Sequence, residues 1–275
     1  MSWLSSSSSP LPHVVLEVLA YGLGARVYWR TAGAQPEPFT PSGVEGRVST
    51  SLDVHGLPRT SVDRWLLFGC ALFGAAAGSK GLHVLEHLPA LLERGEFALW
   101  LGGKSVLGGF LGGTLGVELG KKVIGWRSST GDAWVPALTL GLVLGRLGCQ
   151  LSGTWDQTYG SPTSLPWAWD YGDGLGRHPV ALYELLLVIA LWAVTRRRGA
   201  SGHPERSRGA PGATFAAFMG GYCALRFGLE FLKPPFGASA LTLEVARVAG
   251  LTAIQWAALL GGLGYFALWR RRVRH

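Results

Sequence analysis

Two short polar motifs contain side chains suited to binding an anion or moving a proton. The first, GRLGCQLSG, places Arg146 near the end of one apolar run. The second, RHPVALYE, places His178, Tyr183 and Glu184 at the start of the next apolar run. Arginine offers a phosphate two parallel hydrogen bonds, and imidazole and carboxylate groups are common proton carriers. An ionisable residue inside a membrane costs about 2.5–3.5 kcal/mol on insertion scales, so charges kept there indicate a functional site.

The composition predicts that membrane-spanning helices position these motifs. Of the 275 residues, 48% are hydrophobic and only 15% are charged, whereas soluble domains average about 25% charged residues. The 12 tryptophans and 41 glycines fit a membrane protein, because tryptophan favours membrane interfaces and glycine allows close helix packing. We therefore expect an all-α, polytopic membrane protein that forms one integral membrane domain over residues 1–275.

The net charge of +8 does not indicate a nucleic-acid partner, because most basic residues lie at the ends of apolar runs. That distribution is a signal of membrane topology. The cysteines Cys70, Cys149 and Cys223 lie in or beside apolar runs and have no CxxC spacing. We predict that they are small buried apolar residues, and we expect no metal site and no cofactor.

Seven apolar runs approach or exceed the length of about 20 residues that a membrane span needs. The stretch Leu85–Leu101 is shorter and is interrupted by Pro89 and by charged residues, so we expect an interfacial helix or a loop there. The predicted spans are His13–Trp29, Trp65–Leu82, Val106–Gly120, Trp134–Leu151, Pro179–Thr195, Gly212–Leu232 and Leu243–Trp269.

The basic residues predict the orientation of these spans. They are concentrated in the loops between spans one and two, three and four, and five and six, and in the C-terminal tail. By the positive-inside rule these segments are cytoplasmic, and seven spans then place the N-terminus outside. Residues 31–63 form a cytoplasmic loop in this topology, and residues 152–177 form a loop on the outer, periplasmic side.

This orientation brings one set of polar residues into the outer half of the membrane. One interpretation is that they fix helix packing, since Arg226 and Glu230 are four residues apart and pair on one helix face. In the other, unpaired arginines bind a phosphate, and the natural phosphate at that depth is a phospholipid head group. The set comprises Lys104, Arg146, His178, Glu184, Arg226, Glu230 and, in the first turns of the seventh span, Glu244 and Arg247.

Motifs along most of the chain resemble, in the same order, those of the prolipoprotein diacylglyceryl transferase family. One of them, Gly108-Gly109 with Gly112-Gly113, is also a small-residue face suited to helix packing or to close approach of a lipid. The segments that carry the resemblance are Tyr21-Gly22, GGFLGG from Gly108, GRLG from Gly145, HPVALYE from His178, RFGLEF from Arg226, and Gln255.

The resemblance implies a seven-span enzyme of the bacterial inner membrane. Its reaction would move a diacylglyceryl group from phosphatidylglycerol to the lipobox cysteine thiol beside the signal peptide of a prolipoprotein, the first step of lipoprotein maturation. Arg146 and Arg226 would hold the departing phosphate, and Glu184 and Glu230 would orient them or accept a proton. The residues expected to bind substrate are Tyr21, Gly108, Gly109, Cys149, Gly153, Asp156, Gly160, Tyr183 and Arg247.

The sequence departs from the family pattern at two positions. The family often has a histidine, proposed as a base, immediately before the Gly-Gly of the third span, where this chain has Leu107. The asparagine that normally follows Gly-Arg-x-Gly is Cys149. Asp156 and Gly160 are then the candidates for the later acidic residue and the closing glycine of the signature, and His178 is the substitute base.

Two alternatives stay open at this point. The altered signature is compatible with a related membrane enzyme that uses a phospholipid donor with another acceptor. A non-catalytic lipid-binding or transport protein on the same scaffold is the third reading. A transporter would favour inverted repeats and broken helices at mid-depth, and the sequence has no detectable repeat.

Overall fold

Long apolar runs with few helix-breaking residues form most of the described structure. The computed structural model describes residues 9–33, 61–95, 103–200, 210–234 and 245–274. Within those ranges the protein is mostly helical, with a few short strands. The helices are α1 (Leu11–Gly33), α2 (Ser61–Arg94), α3 (Val106–Val123), α4 (Trp134–Leu151), α5 (Val180–Ala200), α6 (Ala213–Leu229) and α7 (Ala253–Val273).

Three helical segments of the described chain are long and apolar enough to cross a membrane. They are Val62–Arg94, Gly131–Leu151 and Ala213–Leu232. Large apolar side chains also lie on the outside of the bundle, and Phe73 on α2 is 79% exposed. Such a surface is costly in water and is expected where helices face lipid.

The helices pack mainly as neighbouring pairs. α1 lies on α4, α2 on α3, and α6 on α7, while α5 packs against both α4 and α6. The main buried cluster includes Phe218, Met219 and Tyr222 of α6 with Leu107 of α3 and Val188 of α5. The core therefore joins helices that are distant in the sequence.

Glycines line the contact between α2 and α3. A Cβ atom on Gly112 would lie 2.2 Å from the carbonyl oxygen of Gly74, and one on Gly78 would lie 2.3 Å from that of Gly108. These separations are too short for any side chain, so the backbones touch directly. The predicted small-residue face of α3 therefore packs on another helix.

The prediction that Leu85–Leu101 is a separate interfacial helix or a loop is wrong for the residues of this segment that the structure describes. Helix α2 continues without a break through Pro89 to Arg94. A proline inside a helix removes one backbone hydrogen bond, and the helix tolerates it here close to its end. Residues 96–102 lie outside the described ranges.

The outer loop, residues 152–177, is tied to two helices by main-chain hydrogen bonds. It contains the antiparallel strands β1 (Trp169–Asp170) and β2 (Gly176–Arg177). The amide of Gly160 donates to the carbonyl of His178 at 2.8 Å, and the amide of Ser161 donates to that of Leu232 at 2.8 Å. The loop is thus held at the start of α5 and just beyond the end of α6.

The predicted start of the seventh span is also wrong. Strands β3 (Arg247–Val248) and β4 (Leu251–Thr252) form a hairpin before α7. Ala249 and Gly250 have positive φ values of 51° and 79°, a turn geometry that ends an extended segment rather than continuing a helix. Helix α7 begins after the hairpin, with a capping box between Thr252 and Gln255.

Parts of two expected segments fall outside the described residues. Only the ends of the predicted cytoplasmic loop 31–63 are described, since α1 continues to Gly33 and α2 begins at Ser61. The first residues of the predicted seventh span, Leu243 and Glu244, also lie outside the described ranges.

Candidate functional site

Glu184 is the centre of a buried network that joins three helices. Its Oε1 accepts hydrogen bonds from Arg146 Nη2 of α4 at 2.9 Å and from the hydroxyl of Tyr222 of α6 at 2.8 Å. Its Oε2 lies 3.4 Å from Arg226 Nη1, also on α6. All four side chains are buried. The carboxylate therefore holds two guanidinium groups in fixed positions, away from water.

The predicted pairing of Arg226 with Glu230 is present at the end of α6. Arg226 Nη2 donates to Glu230 Oε2 at 2.8 Å, and Lys233 Nζ lies 3.8 Å from the same oxygen. Burial, together with the nearby charge of Arg226, lowers the pKa of Lys233. Three cations and two carboxylates thus meet in one continuous network, with an excess of positive charge.

Both arginines keep one donor that the protein does not use. Within the described residues, Arg146 Nε and Arg226 Nε are buried and have no hydrogen-bond partner. Both residues line a cavity of about 70 Å³ with Lys104 and Lys233. An unpaired buried donor costs about 1–3 kcal/mol, and each of these N–H groups can donate to an acceptor oxygen.

Three residues of α2 line the same cavity and were missed by the sequence reading. They are His83, Glu86 and His87. The two imidazole rings lie 4.6 Å apart, and the Nε2 atom of each is buried without a partner in the described chain. Their spacing of three and four residues places them on one helix face, which was the available signal. The signal was missed because span two was predicted to end at Leu82, and the residues from Leu85 were assigned to an interfacial helix or a loop.

His178 and Tyr183 lie beside the outer loop, and neither is among the residues that line the cavity. Among the described contacts, His178 Nδ1 is 3.5 Å from the hydroxyl of Tyr183, which also accepts a hydrogen bond from Trp167 Nε1 at 2.7 Å. The HPVALYE motif therefore divides between two environments. Its glutamate enters the charge network, whereas its histidine and tyrosine contact the outer loop.

A second polar cluster lies next to Arg146 and involves the cysteine of the first motif. Arg146 Nη1 is 3.8 Å from Cys149 Sγ, and Cys149 Sγ is 3.8 Å from His13 Nδ1. The same His13 nitrogen is 3.0 Å from Asp156 Oδ1. Cys149 is buried, as predicted, and its sulfur also contacts two polar groups, the His13 ring of α1 and the Arg146 guanidinium.

Asp156 is held as an anion in this second cluster. Burial alone would raise its pKa, but hydrogen bonds from His13 and from Thr158 outweigh burial and lower the pKa to about 2. Thr158 Oγ1 donates to Asp156 Oδ2 at 2.7 Å. Since Thr158 also lines the cavity, the two clusters are adjacent.

Glu17 and Tyr21 of α1 extend the second cluster. Glu17 Oε2 lies 3.3 Å from His13 Nε2, and Glu17 Oε1 accepts hydrogen bonds from Tyr21 at 2.7 Å and from Lys104. Lys104 also lines the cavity, so it connects the two clusters through its side chain. Tyr21 therefore contacts the site through Glu17 rather than facing the cavity.

The remaining predicted substrate-binding residues have structural contacts of their own. Gly108 and Gly109 face α2, and Gly160 packs so closely on His178 that a Cβ would lie 2.6 Å from it. Gly153 has a φ of 62° at the turn that follows α4. The placement of Arg247 in a helix is wrong, since it is exposed in the β3–β4 hairpin, where its described hydrogen bond goes to Gly250 O at 3.4 Å.

The fold and these two clusters define a helical membrane protein with a charged interior cavity. Comparison with known proteins identifies the family: the prolipoprotein diacylglyceryl transferase family matches residues 51–268. The chain belongs to this family, and it is a transferase.

Three relatives named phosphatidylglycerol–prolipoprotein diacylglyceryl transferase illustrate the similarity. The Bordetella parapertussis protein is 33% identical over 212 residues, 71% of this chain and 74% of the relative. The Nitrosomonas europaea protein is 32% identical over 218 residues, 72% and 74% of the two chains. The Aromatoleum aromaticum protein is 34% identical over 207 residues, 68% and 71% of the two chains. No solved structure matches significantly.

Proposed function

We propose that this chain transfers a diacylglyceryl group from phosphatidylglycerol to the lipobox cysteine thiol of prolipoproteins, the first step of lipoprotein maturation. Family membership supports the reaction class. The observation that carries the assignment of the site is the pair of unpartnered Nε atoms on Arg146 and Arg226, buried at one cavity. A departing glycerol phosphate supplies the acceptor oxygens that these atoms lack.

The proposed topology has seven spans in the bacterial inner membrane, with the N-terminus outside and the C-terminus cytoplasmic. The seven described helices, and the three that are long and apolar enough to span, support it. The arginines at the end of α7, Arg270 to Arg272, support a cytoplasmic C-terminus. The cavity then opens toward the periplasmic side, where prolipoproteins arrive.

In the proposed mechanism, the arginines stabilise the charge that develops on the leaving phosphate. Glu184 acts as a positioning residue, because it binds one nitrogen of each guanidinium and prevents both side chains from rotating away. Donors fixed before the reaction stabilise a transition state without reorganising, and the loss of one typically slows a reaction by about 10²–10³-fold.

The acceptor thiol must lose its proton before it attacks the donor lipid. His178 was the predicted substitute base, but its ring contacts Tyr183 and not the cavity. His83 and His87 are better placed, since both line the cavity and the Nε2 atom of each has no partner among the described residues. We therefore assign proton acceptance to this histidine pair in place of His178.

Complementation tests the proposed reaction. Cells depleted of their own transferase and expressing this chain should incorporate a labelled fatty acid into a reporter lipoprotein. The Arg146→Ala variant should lose labelling by about 100-fold or more while still accumulating in the membrane. The matched control is Arg177→Ala, which removes an arginine of the outer loop that pairs with Asp173.

The same assay distinguishes the two candidate bases. Substitution of His83 or His87 by alanine should reduce labelling more than His178→Ala does. Absence of labelling by the unmodified chain would overturn the proposed reaction. Near-normal labelling by Arg146→Ala would overturn the phosphate-binding role of that residue.

A further inference from the structure

Cys149, His13 and Asp156 converge from three separate elements onto one small volume. Cys149 lies in the last turn of α4, His13 lies in the first turn of α1, and Asp156 follows the short turn after α4. Their sulfur, nitrogen and oxygen atoms all lie within 4.8 Å of one another. Within the described part of the chain, this is the one group of three metal-ligating side chains with such spacing.

The spacing of these atoms matches a tetrahedral metal site. Zinc binds sulfur at about 2.3 Å and nitrogen or oxygen at about 2.0–2.2 Å, which places neighbouring ligand atoms roughly 3.4–3.6 Å apart. The observed separations are 3.0 Å between His13 Nδ1 and Asp156 Oδ1, and 3.8 Å between His13 Nδ1 and Cys149 Sγ. These two separations lie within a few tenths of an ångström of the tetrahedral spacing, and the third, between Cys149 Sγ and the Asp156 carboxylate, is below 4.8 Å.

The groups around the three side chains also have the arrangement that metal ligands need. Glu17 Oε2 lies 3.3 Å from His13 Nε2, so it orients the imidazole and leaves Nδ1 for the metal. Thr158 donates to the outer oxygen of Asp156 and fixes that carboxylate. Arg146 Nη1 donates a long hydrogen bond of 3.8 Å to Cys149 Sγ and so fixes the position of the sulfur.

We propose that Cys149, His13 and Asp156 form a binding site for a divalent transition metal of the zinc class. One thiolate, one imidazole and one carboxylate make a ligand set that suits zinc and disfavours magnesium or calcium, which prefer oxygen ligands. The side chains of His13 and Asp156 are 15% and 9% exposed, so a metal can enter from the outer side.

Three protein ligands leave the fourth tetrahedral position open, as in catalytic zinc sites. We assign that position to the acceptor cysteine thiol, a role that rests on the function proposed above. On coordination the S–H bond breaks, the sulfur stays on the metal as a thiolate, and the proton passes to water or to His83 or His87. The thiolate would then lie beside Arg146, next to the proposed phosphate site.

Cobalt titration of the full-length protein tests the metal site. The chain is purified in detergent without a polyhistidine tag, stripped with a chelator and titrated with Co²⁺. One equivalent should bind and give a sulfur-to-cobalt charge-transfer band in the near ultraviolet, and Zn²⁺ should abolish that band. Cys149→Ser should remove the band, whereas the control Cys70→Ser, which changes a cysteine packed on Gly120, should keep it.

A second variant keeps the test independent of folding defects at Cys149. Glu17→Gln leaves all three ligands in place and should weaken Co²⁺ binding by about 10–100-fold, because it removes the carboxylate that orients His13. No band in the unmodified chain, or an undiminished band in Cys149→Ser, would overturn the site. Unchanged affinity in Glu17→Gln would overturn the proposed orientation of His13.

The assay separates this site from the proposed reaction. Lipoprotein labelling by a chain that gives no cobalt band would remove the metal site and leave the transferase assignment intact. A cobalt band in a chain that supports no labelling would overturn the transferase assignment and leave the metal site intact. A peptide carrying a lipobox cysteine should shift the band, while the same peptide with serine should not; equal behaviour of the two would overturn the role of the fourth position.

Discussion

Two helix contacts in this protein have opposite chemistry. The contact between α2 and α3 is made of glycine backbones, with Gly74 and Gly112 too close for any side chain. The contact of α4, α5 and α6 is made of charges, with Glu184 between two arginines. The α2–α3 contact therefore requires residues without side chains, whereas the contact of α4, α5 and α6 requires that positive and negative side chains pair. Within the described residues the second contact leaves Arg146 Nε and Arg226 Nε without partners, and there the proposed substrate site lies.

The largest expected effect comes from removing the central charge. Glu184→Gln keeps the shape of the side chain and leaves two buried arginines with less counter-charge, so the free energy of unfolding should fall by about 3–5 kcal/mol. Glu118→Gln is the matched control, since Glu118 pairs with Lys121 but its side chain is 57% exposed. That control should change the free energy by no more than about 1 kcal/mol. The free energies are measured by denaturation in mixed micelles. Equal losses for Glu184→Gln and Glu118→Gln would show that the buried carboxylate is no more important for stability than the exposed one.

A methyl group added to the glycine contact should have the next largest effect. In Gly112→Ala the new Cβ meets the backbone oxygen of Gly74, which cannot rotate away. We therefore expect the free energy of unfolding to fall by about 3 kcal/mol. Gly69→Ala on α2 adds the same methyl group where no atom lies within 4 Å. The control should be neutral or slightly stabilising in the same denaturation experiment. A similar response of both variants would show that α2 and α3 separate easily.

The smallest expected effect concerns a single hydroxyl group in the charged contact. Tyr222→Phe removes one hydrogen bond to Glu184, but Arg146 still donates to the same oxygen. We therefore expect the free energy of unfolding to fall by about 1.5 kcal/mol. The control is Tyr265→Phe, which removes a neutral hydrogen bond to Thr114 and should cost about 0.5–1 kcal/mol. A larger loss for Tyr265→Phe would mean that the charge of Glu184 adds nothing to this bond.

The sequence predicted the parts of the site that depend on spacing within one helix. Arg226 and Glu230 are four residues apart, and their pairing follows from helical geometry. The inward position of Arg146 and Glu184 followed from the cost of charge in a membrane, although their direct contact across two helices did not. The membrane class and the family followed from apolar runs and ordered motifs.

The rest depended on contacts that local patterns do not encode. His13 and Cys149 are 136 positions apart, so their meeting requires the packing of α1 on α4. His83 and His87 were missed because charges and Pro89 after Leu85 resemble the end of a span, whereas α2 continues through them. Arg247 was placed in a helix because most residues of the run are apolar, and periodicity does not reveal the turn at Ala249.

The way in which the outer loop is attached has a consequence for sequence divergence. Its ties to α5 and α6 use amides and carbonyls of Gly160, Ser161, His178 and Leu232 rather than their side chains. Substitutions among many residue types at Ser161 would therefore keep the loop anchored, and only proline would remove a donor. Positions of the loop tied only through their main chain are therefore free to change over evolutionary time while the helices beneath stay the same.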